Sequence, residues 1–243
     1  MKLQSIALCA LALAIAIVPV SNAQKYQKAD DWITKWWGPD LVKNTGGFAV
    51  SAKTDWLAEG TGGVLTQEGI STGQNLHLTK NLTLNLPKNG GNLKWKVITI
   101  DPEDGKNTST SHEGAGKDLS NIEWYGVIVI KDPKGRSTTM HPAHDDYAHI
   151  WLNGKKVYDN EKWTGAATKV THPTKVTLNK GENVLLYRLG ESGGSDYVNL
   201  HFEKSDSDLQ VAPTTDGQFL SVITAVDPKD KAAITWANIK ATR

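Results

Sequence analysis

The sequence has almost no cysteine, no surplus of charge of either sign and only one long apolar run. Its 243 residues contain a single cysteine, Cys9, and 27 Lys and Arg against 26 Asp and Glu. Nucleic-acid binders usually concentrate a basic surplus on one face, so the balanced charge argues against a nucleic-acid partner. The hydrophobic fraction of 39% is ordinary for a folded protein and excludes wholesale disorder.

Catalytic signatures are also missing. The chain contains no Gly-x-Ser-x-Gly elbow, no P-loop and no Gly-x-Gly-x-x-Gly fingerprint. A glycoside hydrolase needs two carboxyl groups about 5–10 Å apart across a cleft, a separation that a sequence does not show. We therefore expect a protein without catalytic activity and keep a secreted glycan hydrolase as an alternative.

The long apolar run lies at the N-terminus and predicts export. It covers residues 6–18, fewer than the roughly 20 residues with which a helix spans a bilayer. Lys2 precedes the run and small residues end at Ala23, which is typical of a secretory signal cleaved after Ala23. We expect a secreted chain, extracellular or periplasmic, without a transmembrane segment. Removal of Cys9 with the signal would exclude thiol catalysis and thiolate metal sites.

Short apolar segments separated by turn residues dominate the rest of the chain and predict an all-β fold. Residues 122–130 are apolar enough to form a central strand, and Asn153-Gly154 suits a type I′ hairpin turn. Further strands are predicted at 75–86 (one long strand or two short ones), 93–100, 147–153, 175–178, 183–189 and 197–203. With so few helical patterns, the best interpretation is an antiparallel β-sandwich with short terminal helices.

The same patterns divide the chain into three parts: the signal 1–23, a sandwich domain 24–204, and a linker with a C-terminal tail, 205–243. Residues 24–74 either join the sandwich or form a separate N-terminal element. Helices are predicted at 30–37 and, less distinctly from a strand, at 229–243. Residues 103–120 are polar and predict a long surface loop, and 205–217 predict a linker.

Two adjacent carboxylates, Asp145 and Asp146, precede the Asn153-Gly154 hairpin. Like-charge repulsion makes such a pair costly unless it is solvated or shares a cation. Either the pair caps the hairpin by accepting main-chain N–H bonds, or it holds a metal ion. Near Gly193-Gly194, Asp196 and Asn199 are further candidate ligand-binding residues, and Glu191 and Ser192 flank the same loop.

Aromatic and histidine side chains give two weaker signals. Trp163 follows the hairpin in a loop, where it either stacks on the apolar face of a sugar or covers the end of the sandwich. Trp95, Trp124 and Trp151 lie in predicted strands and are expected in the core or on a sheet face. His141, His144 and His149 have residue types that suit Zn²⁺, but their spacing fits no metallohydrolase motif, so surface histidines are the better interpretation.

The stretch from Asp145-Asp146 through Ile150-Trp151-Leu152-Asn153-Gly154 to Val157-Tyr158-Asp159-Asn160 resembles the core hairpin of PA14-type β-sandwich modules. The continuation over 178–203, with its Lys-Gly-Glu-Asn turn and Gly193-Gly194, is similar to galactose-binding-like jelly-roll modules of secreted bacterial proteins. The resemblance covers residues 120–203. In PA14-type lectins a paired aspartate, commonly joined by a cis peptide, holds Ca²⁺ that coordinates sugar hydroxyls, so the resemblance implies Ca²⁺ at Asp145 and Asp146. Tyr147 departs from the small residue usual in that pattern.

These observations lead to one expectation and two alternatives. We expect a secreted carbohydrate- or glycan-binding or adhesion module that depends on Ca²⁺, with Asp145, Asp146, Trp163, Asp196 and Asn199 as its ligand-binding residues. The first alternative is a structural or assembly protein of the cell envelope or extracellular matrix that docks another envelope protein. The second is the glycan hydrolase named above.

Overall fold

The computed structural model describes residues 24–44 and 48–223, and these form two packed sheets covered on one side by short helices. The predictions of a signal at 1–23 and of a helix at 229–243 lie outside the described residues. The strands are β1 Gln27–Lys28, β2 Lys35–Pro39, β3 Val42–Lys43, β4 Leu84–Leu86, β5 Gly91–Leu93, β6 Trp95–Thr99, β7 Ile122–Asp132, β8 Arg136–His144, β9 Tyr147–Leu152, β10 Lys155–Asn160, β11 Thr174–Leu178, β12 Gly181–Glu191, β13 Val198–Phe202 and β14 Gln210–Ala212. The α-helices are α1 Phe48–Ser51, α2 Trp56–Thr61, α3 Gln67–Ser71, α4 Asn107–Glu113 and α5 Leu220–Ile223, and 3₁₀ turns cover Leu76–Lys80 and Lys204–Asp206.

The prediction of an antiparallel β-sandwich is confirmed. The main sheet follows the order β1-β14-β7-β12-β9-β10, with β2 and β3 paired to β7 and β6 paired to β2. The smaller sheet has the order β11-β8-β13, and β4 pairs with β5 in a separate hairpin. Asn153 and Gly154 have φ angles of 51° and 84°, as the predicted hairpin turn between β9 and β10 requires.

The main sheet is buried on both faces, which explains why β7 is apolar throughout. Alternate residues of a strand point to opposite faces. Trp124, Ile128 and Ile130 pack against the smaller sheet, whereas Tyr125 and Val127 face the layer formed by α2, α3 and the β4–β5 hairpin. The strand predicted at 122–130 is therefore confirmed as a central strand.

Three local predictions are wrong because contacts distant in the chain decide the structure. Residues 30–37 turn and enter β2 instead of forming a helix, since Trp36 and Trp37 fill the two opposite cores. Within 75–86 a 3₁₀ turn at Leu76–Lys80 precedes β4, and Leu78 is left 38% exposed. The predicted loop 103–120 contains α4.

The stretch predicted as a linker contributes a strand to the main sheet. Within 205–217, β14 pairs with both β1 and β7, and Val211 and Ala212 are fully buried. Residues 210–212 therefore belong to the sheet and not to a linker. Within residues 24–44 and 48–223, no helix is both long and apolar enough to cross a membrane.

Candidate functional site

The candidate site lies where the chain crosses twice between the two sheets. Asp145 and Asp146 connect β8 of the smaller sheet to β9 of the main sheet, and residues 192–197 connect β12 to β13. Main-chain hydrogen bonds hold the first crossing in place. The N–H of Asp145 donates to the carbonyl of Tyr197, in the second crossing, at 3.1 Å, and the N–H of Asp146 donates to the carbonyl of Gly190, in β12, at 3.2 Å. The rim of the sandwich thus holds the acidic pair on a fixed main chain.

The aromatic residue that follows the acidic pair is accommodated by a glycine. A Cβ atom at Gly190 would lie 1.8 Å from the Tyr147 ring, so only glycine permits this packing. The Tyr147 hydroxyl donates to Glu123 at 2.7 Å. Tyr147 therefore anchors the start of β9, although it departs from the small residue usual at this position.

Three carboxyl groups converge at this rim. Each of Asp145, Asp146 and Glu191 offers an oxygen atom, and these atoms lie within 4.8 Å of one another. The peptide bond between Asp145 and Asp146 is cis, the form that the resemblance implies. Asp145 is 9% exposed and Glu191 is 1% exposed. In the described part of the chain no other group of three His, Cys, Asp or Glu side chains meets this distance.

Protein donors satisfy these carboxyl groups only in part. Asp146 accepts from the main-chain N–H and the hydroxyl of Ser192 at 3.0 and 2.6 Å, both on Oδ2. Glu191 accepts from the N–H of Gly193 on Oε1, but its buried Oε2 has no hydrogen-bond partner among the described residues. A buried carboxylate oxygen without a donor is unfavourable, and an oxygen-seeking cation would satisfy it.

Burial and mutual repulsion shift the protonation of this cluster. Burial, followed by the charge of Asp146, raises the pKa of Asp145 to about 7. The same two causes, in the same order, raise the pKa of Glu191 to about 8. Without a cation, the folded state thus disfavours the fully ionised cluster. Such a set of oxygen ligands fits Ca²⁺, a hard cation that prefers several carboxylate oxygens.

Asp196 and Asn199 lie beside this cluster but use their polar atoms inside the protein. Both side chains are fully buried. The Asp196 carboxylate caps α4 by accepting from the N–H of Ser109 and from the Thr108 and Ser109 hydroxyls. The amide of Asn199 donates to the carbonyls of Pro102 and Ala167 at 2.8 and 2.7 Å. Both residues therefore support the crossing, and neither belongs to the cluster of three carboxyl groups.

Trp163 lies on the same rim as the acidic pair. The next residue, Thr164, donates its N–H to the carbonyl of His144 at 2.9 Å, and His144 directly precedes Asp145. Trp163 is 59% exposed and is the one aromatic among the large exposed hydrophobic side chains of the described residues. Trp95, Trp124 and Trp151 are buried, as predicted.

The three histidines near the hairpin are not brought together. His141 stacks on His201 of the neighbouring strand β13, with ring centroids 4.6 Å apart. His144 is buried and contacts the Tyr158 hydroxyl through Nε2 at 2.8 Å. His149 faces the helical side of the main sheet and pairs with Asp159. The cluster of convergent carboxyl groups includes none of them, so the structure offers no transition-metal site from this set within the described residues.

The comparisons with known proteins leave the family open. No protein-family model matches the chain, and a search of the curated proteins finds no match. Among solved structures, an anti-sigma factor domain-containing protein from Clostridium clariflavum is similar at 16% identity with a TM-score of 0.35, covering 50% of this chain and 40% of that one. A GH31 α-xylosidase from Xanthomonas citri is similar at 12% identity with a TM-score of 0.33, covering 50% of this chain and 14% of that one. The chain thus spans less than half of either structure.

The titration of the cluster predicts a decline of stability with alkali in the absence of metal. A raised carboxyl pKa stabilises the folded state at low pH, and this contribution is lost as pH rises through about 7 for Asp145 and about 8 for Glu191. Burial lowers the pKa of His144 and His149 to about 4, so these two histidines make the folded state more stable as pH rises. That opposing contribution is complete above about pH 6.5, where histidine is neutral in the unfolded chain as well.

We therefore expect the melting temperature in EDTA to fall by about 5 °C between roughly pH 6.5 and 8.5, a loss of about 1–2 kcal/mol. Added CaCl₂ should abolish this decline, because the cation neutralises the ionised cluster. Differential scanning fluorimetry across the pH range, with and without Ca²⁺, measures both curves. A melting temperature in EDTA that rises over this interval would contradict the assignment.

Proposed function

We propose that this protein is a secreted, Ca²⁺-dependent carbohydrate-binding module of the PA14-like kind. The observation that carries the proposal is the convergence of Asp145, Asp146 and Glu191 around a buried carboxylate oxygen that lacks a donor. Asp145, Asp146 and Glu191 would hold the ion. Ca²⁺ takes six to eight oxygen ligands, so positions beyond those of the protein are open to the vicinal hydroxyls of a sugar.

The exposed indole of Trp163 supports the sugar as the ligand. Aromatic rings bind the apolar C–H face of a sugar ring while polar groups bind its hydroxyls. Trp163 is anchored through Thr164 next to the acidic pair, and its ring is free to contact a ligand at the same rim. The proposed site therefore combines a cation for the hydroxyl groups with an aromatic surface for the ring.

A glycan array tests the proposal directly. The mature chain, residues 24–243, is applied to immobilised glycans in CaCl₂ and in EDTA. We expect binding to a restricted set of glycans in CaCl₂ and loss of that binding in EDTA. If the chain binds no glycan in either buffer, carbohydrate binding is refuted, and docking of an envelope protein becomes the leading function. Release of reducing sugar from a bound glycan would instead favour the hydrolase. N-terminal sequencing of the exported protein tests cleavage after Ala23.

Replacing Trp163 by alanine should weaken glycan binding about tenfold and leave Ca²⁺ binding unchanged, because the indole contacts the sugar and not the ion. Isothermal titration with CaCl₂ and then with a glycan from the array measures both affinities. Leu78→Ala is the matched control, since Leu78 is also an exposed apolar side chain. Equal glycan affinity of W163A and wild type would remove Trp163 from the site.

A further inference from the structure

A cleft lies beside the acidic rim. It has a volume of about 590 Å³. Its walls come from the segment around Asp40, from β5 with Asn92, from Lys96, from the end of α4 with His112 and Glu113, and from residues 119–122. Most of these walls lie outside residues 120–203, to which the resemblance is confined.

The cleft and the acidic cluster share one wall. Ile122 lines the cleft and is the strand partner of Glu191. Ser120 also lines the cleft, and its Oγ lies 3.4 Å from the position that a Cβ of Gly193 would occupy. The N–H of Gly193 in turn donates to the Glu191 carboxylate. The cleft therefore begins within a few residues of the carboxyl groups.

The lining of the cleft suits a chain of sugar rings. Leu41 and Leu119, both partly exposed, contribute apolar surface, while Asn92, Ser120 and the Asp40–Lys96 ion pair, at 2.6 Å, provide polar groups around it. Pockets of this volume enclose ligands larger than a single sugar ring, and such sites combine apolar surface with a few polar groups.

From this placement we infer that the protein recognises an extended oligosaccharide, whose first sugar sits at the acidic rim and whose following units occupy the cleft. The inference rests on the proposed function and adds to it the class of ligand. It assigns binding to a surface formed largely by residues between 40 and 119, which precede the region of the resemblance.

Titration with a chain-length series tests the inference. The probes are mono-, di-, tri- and tetrasaccharides built on the sugar that the array identifies, measured by isothermal titration in CaCl₂. We expect the affinity to rise at least about tenfold from the monosaccharide to the tetrasaccharide. In Asn92→Trp and Glu113→Trp, which fill the cleft from two walls, the tetrasaccharide should bind about as weakly as the monosaccharide. Monosaccharide and Ca²⁺ affinities should not change in either variant.

Thr177→Trp is the matched control, because Thr177 is an exposed strand residue in the smaller sheet and does not line this cleft. Full tetrasaccharide affinity in both cleft variants, or an affinity independent of chain length, would overturn the inference while leaving Ca²⁺-dependent sugar binding intact. Failure of every probe to bind would refute the proposed function and this inference together.

Discussion

Calcium affinity should fall at least about a hundredfold when Glu191 is replaced by glutamine. Glutamine keeps the size of the side chain and the acceptor for the N–H of Gly193 but removes the charge that a hard cation needs. Burial, followed by the charge of Asp146, raises the pKa of Glu191 to about 8, so its carboxyl group is ionised without Ca²⁺ only above about that pH. At pH 8.5 in EDTA the same change should therefore raise the melting temperature, because glutamine removes the buried, repelled charge. At that pH the variant should be the more stable protein without Ca²⁺ and gain nothing when Ca²⁺ is added.

These two results together distinguish the loss of a calcium-coordinating side chain from misfolding. A misfolded variant would have a lower melting temperature than wild type in EDTA. Loss of the coordinating carboxylate instead raises the melting temperature in EDTA and abolishes the increase that Ca²⁺ causes. Glu161→Gln removes an exposed carboxylate outside the cluster and should behave as wild type. If E191Q binds Ca²⁺ as tightly as wild type, Glu191 is not a ligand and the observation behind the proposed function is lost.

The elements that the sequence predicts correctly are those fixed by local alternation and turn chemistry. The apolar run at 122–130 marks the central strand β7 because both faces of that strand are buried. The hairpin at Asn153-Gly154 follows from residues that tolerate positive φ. Both signals are contained within about ten residues, so one sequence suffices to detect them.

The elements that the sequence mispredicts depend on partners far along the chain. Residues 107–113 form α4 although no local residue caps its start, because the cap is the Asp196 carboxylate, 87 residues away from Ser109. Ile33 is three and four residues before Trp36 and Trp37, a spacing that suggests a helical face, and only the pairing of β2 with β6 places the two tryptophans on opposite sides of a sheet. Cross-strand pairing of this kind leaves no trace in a local pattern.

The candidate site was predicted in part. Asp145 and Asp146 stand out because adjacent carboxylates at a strand entry are unusual, and the structure brings Glu191 to them from the far end of β12. In the sequence Glu191 stands out only as a residue flanking Gly193-Gly194, and its burial follows from the pairing of β12 within the main sheet. For the same reason the sequence did not indicate that Asp196 and Asn199 point inward. The signal that would have found Glu191 is a carboxylate at the end of an otherwise apolar strand.

The buried ion pair of the main sheet, which no local pattern indicates, predicts a large change in stability. Arg188 on β12 and Glu123 on β7 are 1% and 0% exposed, and Nε of Arg188 donates to Glu123 at 2.8 Å. Arg188 also donates to the carbonyls of Ser51 and of Ala52 and Thr54, just before α2. One side chain thus fastens the helical layer to the sheet.

Replacing Arg188 by methionine should destabilise the protein by about 3–5 kcal/mol and lower its melting temperature by about 10 °C. The variant leaves the Glu123 carboxylate buried without its cation and three carbonyl groups without their donor. Adding Glu123→Leu to that variant removes the unpaired charge and should recover part of the lost stability. If the two substitutions acted independently, the double variant would instead be less stable than Arg188→Met alone. Lys134→Met, which removes an exposed partner of Asp208, should cost less than about 1 kcal/mol. Chemical denaturation of the four proteins measures these values, and an R188M variant as stable as K134M would show that the buried pair does not hold the helical layer in place.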